Sequence, residues 1–233
     1  MKTLASCVGL SLIAALSTTS AADAIVRKLE ARYRGAHTLK AAFYERYADG
    51  NGGVSAESGT VYFSRPGRMR WEYESPEQKL FLVDATNAWF YVPADKTVSR
   101  APVKDSSDWR TPLALLTGKA DLARLCRTID LVDNSKAQNA SDKPLASENS
   151  VLRCFPRTDL ADAPDAQTHE ILLESDPEGR LTRLVIRAPG NLETEFRFGK
   201  WEENIAIPEV KFHFLPPVGV AVVDEESLAS SIH

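Results

Sequence analysis

The spacing of apolar residues changes along the chain, and each change marks an element. Ile25, Val26, Leu29 and Tyr33 recur three and four apart, the spacing of one helix face. Asp23 reads as the N-cap of that helix and Gly35 as its stop. From Leu39 the period falls to two. Leu39, Ala41 and Phe43 alternate with Lys40, Ala42 and Tyr44, which predicts a strand, and Asn51-Gly52-Gly53 marks a turn beyond it. The sharpest alternation is Arg68-Met69-Arg70-Trp71-Glu72-Tyr73-Glu74, apolar or aromatic at every odd position and charged at every even one. Such a segment buries one face and wets the other, as in an antiparallel sheet covered on one side. Segments 59–64, 79–84 and 88–92 read as its neighbours in a meander.

A helical signal returns at Thr111-Pro112, because proline is tolerated at the first helical position. Leu113, Leu115 and Leu116 supply its stripe and Gly118 its end, and 121–127 reads as a second short amphipathic turn or helix. The Ser-, Ala-, Asn-, Asp- and Lys-rich stretch 137–149 reads as an exposed loop. Strand signals resume at 171–174 and 181–187, on either side of the hairpin turn Asp176-Pro177-Glu178-Gly179. They continue at 194–198, with Phe196 and Phe198 on one face, and at 210–215 and 218–223 around Pro216-Pro217. Without an internal repeat or a break in composition, the expectation is one mainly β domain.

The first residues stand apart from that domain. Lys2, the apolar run from Leu4 to Leu16, and Ser20 and Ala22 at the −3 and −1 positions describe an export signal over residues 1–22, cut before Asp23. The run is shorter than the roughly 20 residues that span a bilayer. Leu4-Ala5-Ser6-Cys7 spells a lipobox-like tetrapeptide, but the apolar core follows Cys7 instead of preceding it. Cys7 therefore reads as part of the discarded peptide. The expected mature chain is residues 23–233, long enough for one domain with a sizeable core. Its net charge of −4 argues against a nucleic-acid partner, which needs clustered positive charge.

Exported chains meet an oxidising compartment, where Cys126 and Cys154 could pair and close a loop of about 28 residues. Two buried thiols that never meet is the alternative, and the spacing leaves both open. Catalytic signatures are absent: there is no G-x-S-x-G, P-loop, G-x-G-x-x-G or H-E-x-x-H, since His169-Glu170 lacks the second histidine. His37, His169, His213 and His233 stand apart from one another. Neither an enzyme, a metal site nor a cofactor is expected. Asn139-Ala140-Ser141 fits a glycosylation sequon, a triplet common by chance. Alternating aromatic and branched residues suit a filled sandwich core and a ligand-lined sheet equally.

One segment narrows the choice. Gly59-Thr60-Val61-Tyr62-Phe63-Ser64-Arg65-Pro66-Gly67-Arg68-Met69-Arg70-Trp71, with the later Ser75-Pro76, resembles the LolA family's glycine, hydrophobic strand, Arg-Pro pair, short turn and Trp. The resemblance continues through Lys79-Leu80-Phe81-Leu82-Val83-Asp84, Ala88-Trp89-Phe90-Tyr91-Val92-Pro93 and Phe212-His213-Phe214-Leu215-Pro216-Pro217-Val218-Gly219-Val220. Thr111-Pro112-Leu113-Ala114-Leu115-Leu116 sits where the family carries a lid helix. The resemblance implies an unclosed, strongly curved antiparallel β-barrel with helices forming a lid over a hydrophobic cavity.

It also implies a periplasmic carrier that shields the acyl chains of lipoproteins and moves them from the inner to the outer membrane. The alternative is a lipid-binding sensor module, or a carrier of another lipid, on the same fold. The implied partners are acylated lipoproteins, an inner-membrane ABC-type lipoprotein-releasing transporter and an outer-membrane lipoprotein receptor, with the carrier itself a monomer. Arg65 matches the family's functional arginine, which holds the lid shut through hydrogen bonds to helix carbonyls. Arginine suits that task because its planar fork offers five donors and stays charged. Phe63, Met69, Trp71 and Tyr73 are expected to line the acyl-chain cavity, with Leu80, Leu82, Trp89 and Tyr91 from the next two strands. Phe196 and Phe212 complete it from the last third. Two departures stand out: Phe43-Tyr44-Glu45 where the family often has Gln after the Phe, and Asp84-Ala85-Thr86-Asn87 where it usually has Asp-Gly.

Overall fold

The computed structural model describes residues 20–84, 86–103, 116, 122–133, 135, 142–157 and 169–225. Residues 1–19 of the expected signal peptide, the helix start at Thr111-Pro112, the sequon and His233 lie outside the described residues. The first helix, α1, spans Ala21–Arg34 and buries Ala22, Leu29 and Tyr33, one stripe at helical spacing. Its N-cap is Ser20 and not Asp23. The Ser20 hydroxyl accepts from Asp23 N at 3.1 Å, and the Asp23 carboxylate accepts from Ser20 N at 3.2 Å, the two halves of a capping box. Asp23 does mark the helix start, but from the third helical position.

Twelve strands follow among the described residues: β1 (Thr38–Asp49), β2 (Val54–Ser64), β3 (Arg68–Ser75), β4 (Lys79–Val83), β5 (Asn87–Val92), β6 (Thr97–Pro102), β7 (Cys126–Leu131), β8 (Ser150–Pro156), β9 (Glu170–Ser175), β10 (Leu181–Ala188), β11 (Leu192–Glu203) and β12 (Ala221–Asp224). A single turn of helix, α2 (Leu122–Leu125), leads directly into β7. All twelve form one sheet in the order β12-β6-β5-β4-β3-β2-β1-β11-β10-β9-β8-β7. Two meanders, β1–β6 and β7–β11, join where β1 pairs with β11, and the sheet ends on β7 and β12 without closing.

The sheet is strongly curved, and the aromatic contacts show it. β3 and β11 stand three places apart in the sheet, roughly 14 Å along a flat surface at about 4.8 Å per strand. Yet the Trp71 and Phe196 rings lie 5.5 Å apart and the Trp71 and Phe198 rings 6.3 Å apart. Gly59 serves the bend. The β2–β3 register slips between Ser58 and Gly59, and a Cβ at Gly59 would stand 1.9 Å from the Glu72 carbonyl oxygen, so only glycine lets the two backbones approach there.

Three strands escape a reading of the sequence. β6 carries polar Ser99 and Arg100 and ends on Pro102, β7 is an edge strand with most of its side chains exposed, and β8 lies next to the Ser- and Asn-rich loop. The strands expected at 210–215 and 218–223 shrink to β12, which runs parallel to β6, while Glu209–Phe212 forms a 3-10 turn. Pro208, Pro216 and Pro217 explain this, since each removes a backbone donor and fixes φ.

The convex face is covered at both ends of the sheet. Under β8–β11 lies an ion network. Arg183 and Glu174, 2% and 1% exposed, meet at 2.8 Å, and Arg187 reaches Asp142 at 2.8 Å and Glu193 at 3.0 Å. Segment 142–149 folds over it, with Leu145 N and Asn149 Nδ2 donating to Glu174 at 2.7 and 2.6 Å. Under β2–β6 lies the chain after β11. Arg70 Nη1 donates to Lys211 O at 3.1 Å, Lys211 Nζ donates to Glu72 at 2.8 Å, and the Arg68 guanidinium stacks over the Phe212 ring.

A concave aromatic floor under a tied helix

Strand pairing decides which side chains share a face. Phe63 lies opposite Met69, Val61 opposite Trp71, and Trp71 opposite Phe81. Those residues, with Phe43 of β1 and Phe196 and Phe198 of β11, make the apolar floor of the concave side. Trp71 is its centre, 1% exposed, with the Phe43 ring edge-on at 4.8 Å and the Phe63 ring at 6.1 Å. Of the ten expected cavity residues, the structure brings together Phe63, Met69, Trp71, Tyr73 and Phe196.

The other five face the opposite side, and this corrects the expectation. Leu80, Leu82 and Trp89 form a separate cluster with Val98, packed by Tyr91, Phe214 and Val220. Phe212 lies under Arg68, beside the polar face of β3. The cause is parity. Trp71 pairs with Phe81, so Phe81 and Val83 of β4 face the floor and Leu80 and Leu82 face away; Leu82 then pairs with Trp89, and Leu80 with Tyr91. β4 is buried on both faces, so its continuous apolar run carries no parity signal. Phe43, Phe81 and Phe198 are floor residues that the sequence reading misses. Counting alternation outward from Trp71 through the antiparallel pairing would find Phe81.

The cover over the floor begins with α1. Leu29 and Tyr33 are fully buried against the same cluster, joined there by Leu116 and by Leu122 and Leu125 of α2. Polar ties fix α1 at its margins. Leu181 N donates to the Tyr33 hydroxyl at 2.8 Å, and burial pushes the Tyr33 pKa well above its usual range. Arg32 Nε donates to Glu203 at 2.7 Å, Lys28 Nζ donates to Pro177 O, and Glu30 accepts from Leu122 N at 2.8 Å. Glu30 thus ties α2 to α1.

Arg65 closes the other margin. It follows β2, its backbone N donates to His37 O at 3.0 Å, and its Nη1 donates to Arg34 O, the last carbonyl of α1, at 3.1 Å. A cation there also meets the negative end of the helix dipole. Burial first and the Arg34 charge second lower the Arg65 pKa.

Cys126 and Cys154 are joined, with Cα atoms 5.5 Å apart and both residues buried beside the floor cluster. The bond fastens the end of α2 and edge strand β7 to β8. Beyond Tyr73 the concave face turns polar. The Tyr73 hydroxyl donates to Glu45 at 2.8 Å, Glu45 lies opposite Glu57 across β1–β2, and Lys79 pairs with Glu57. His37, His169 and His213 are exposed. Among the described residues no group of His, Cys, Asp or Glu could hold a metal ion.

An apolar floor on an open curved sheet, with a helix tied across it, can be compared with known proteins. The family model described as "Outer membrane lipoprotein carrier protein LolA" matches residues 34–154, more than half of the chain. The chain belongs to the LolA family. Across nearly its whole length it is similar to an outer-membrane lipoprotein carrier protein of Nitrosospira multiformis, 28% identical over 94% of this chain and 97% of that protein. The protein of the same name from Dechloromonas aromatica is 30% identical over 82% of this chain and 84% of its own. Among solved structures, an uncharacterized conserved protein from Thermus thermophilus shares the fold at a TM-score of 0.52 and 12% identity, covering 88% of this chain and all of that one. In this LolA-family chain the sheet is unclosed and curved, as the resemblance implied, and the motif from Gly59 to Trp71 runs through the end of β2, the Arg65 turn and the floor strand β3.

Proposed function

We propose that this LolA-family chain is a carrier that holds acylated lipoproteins by their acyl chains on the concave floor and moves them from the inner to the outer membrane. The observation that carries the reading is the nature of the cover. A second sheet would fill the floor permanently, but here a single helix and its neighbours lie over it, fastened at the margins by polar ties. An acyl chain of about 15 methylenes gains on the order of 12 kcal/mol on leaving water, at roughly 0.8 kcal/mol per methylene. A carrier that kept all of that would not release its cargo. A cover whose ties must break before the floor opens lowers the net affinity to a level that permits transfer.

The names of the curated relatives support lipoprotein as cargo. The export signal expected before Asp23 and the Cys126–Cys154 bond support a periplasmic site of action. Among the described residues no helix is long and apolar enough to cross a membrane. In this reading cargo comes from an inner-membrane ABC-type transporter and leaves to an outer-membrane receptor, and the carrier works as a monomer without catalytic chemistry. Arg65 acts by holding α1 down.

The test is binding of a synthetic diacylated lipopeptide and its transfer to acceptor vesicles. A one-to-one complex is expected. Arg65→Leu removes one tie of about 1 kcal/mol, so it should raise affinity about fivefold and slow transfer correspondingly. A chain that binds no acylated ligand contradicts the carrier reading. An Arg65→Leu variant indistinguishable from wild type contradicts the role of Arg65.

A further inference from the structure

Trp71 holds a polar atom that the floor does not use. Its indole Nε1–H is fully buried and has no hydrogen-bond partner among the described residues, on a side chain only 1% exposed. Two other described tryptophans, Trp89 across the sheet and Trp201 at the edge of the floor cluster, do find acceptors. Trp89 Nε1 donates to Asp84 at 2.9 Å, and Trp201 Nε1 donates to Leu181 O at 2.8 Å. Buried tryptophan N–H groups ordinarily find an acceptor. The aromatic rings around Trp71 accept only weakly, so most of the cost of an unmade hydrogen bond stays in place.

We infer that Trp71 Nε1–H is the donor that recognises the ester carbonyl of an acyl chain lying on the floor, so that the site prefers acyl esters to plain hydrocarbon chains. The inference rests on the carrier reading and deepens it. When the cover of Leu29, Tyr33 and Leu116 lifts, an acyl chain replaces apolar side chains with apolar methylenes, a neutral exchange except at this donor. An ester carbonyl accepts where none of the covering side chains did. The floor also sets a direction. Phe63 and Met69 continue it on one side of Trp71. On the other, Tyr73 stands about 7 Å along the strand, with its hydroxyl on Glu45 and the Glu57–Lys79 pair beyond. A chain whose carbonyl meets Trp71 lies with its hydrocarbon over Phe63 and Met69 and its polar remainder towards Tyr73.

The experiment compares two lipopeptides with identical chains, one a dipalmitoyl glyceryl diester on cysteine and the other its dihexadecyl diether, which lacks both carbonyls. The full chain should bind the diester about tenfold more tightly than the diether. Trp71→Phe should reduce that preference to below about threefold, the ratio of the two affinities being the readout because the floor itself loses apolar surface. Benzothienylalanine at position 71 keeps the shape of tryptophan without the N–H, and it should reproduce the loss if Trp71→Phe disturbs packing. In a 15N-indole-labelled sample, the resonance absent from Trp71→Phe should move to lower field with the diester and not with the diether. Equal wild-type affinity for the two lipopeptides, or a preference that survives both replacements, overturns the inference and leaves the carrier reading intact. A chain that binds neither lipopeptide overturns the carrier reading and the inference with it.

Discussion

Arg183 is 2% exposed, with Glu174 and Glu195 facing its guanidinium and Lys143 O accepting from it at 2.6 Å. Removing one partner from such a pair leaves the other charge buried alone. Arg183→Met should therefore cost about 3–5 kcal/mol in urea unfolding, far more than the same change at exposed Arg34. Gly59→Ala should cost about 1–3 kcal/mol, because the new Cβ meets backbone and not a side chain that can turn away. Some single residues are legible from the chain alone. Arg65 stands out by its motif, and the structure places its guanidinium on a helix carbonyl. The buried role of Arg183 is not legible, since an arginine in an alternating strand ordinarily points to water; here segment 142–149 covers that face.

The elements show where pattern reading works and where it fails. β3 alternates strictly because one face meets the aromatic floor and the other meets ion pairs, and its assignment needs nothing else. β4 and β5 lose their parity because the chain after β11 covers their far side, a contact between residues more than a hundred positions apart that no local period records. That covering is tied to the sheet through Glu72. Burial alone would push its carboxyl up, but hydrogen bonds from Lys211 and Arg70 outweigh it and hold the pKa below the ordinary 4.5. The ionised carboxylate is thus favoured in the folded chain. Its stabilisation is complete above the unfolded-state pKa and is lost as pH falls through the lower folded one. Protection against amide exchange at Glu209–Phe212 should therefore fall as the pH drops below the ordinary 4.5, and Glu72→Gln should remove that dependence while leaving protection low at every pH.

For the whole molecule, an unclosed sheet must keep its free edge in place. Among the described residues β7 pairs with β8 alone, and the Cys126–Cys154 bond fastens it there at the end nearest α2. Closing a loop of about 28 residues is worth about 3–4 kcal/mol. The double variant Cys126→Ala, Cys154→Ala should lose about that much in unfolding free energy, with β7 the first strand to lose protection. The sequence leaves this pairing open because no spacing reveals that two strands are neighbours. The curvature of the single sheet follows from the LolA resemblance, not from periodicity, which fits a filled sandwich equally well.

On the carrier reading, cargo acyl chains lie on the concave floor and not on the second apolar cluster across the sheet. Trp71 and Trp89 report on the two faces separately. In variants that retain only one of them, the others being replaced by phenylalanine, a diacylated lipopeptide with brominated chains should quench fluorescence by contact. Strong quenching of Trp71 and none of Trp89 is expected. Quenching of Trp89 with Trp71 unaffected would contradict that reading.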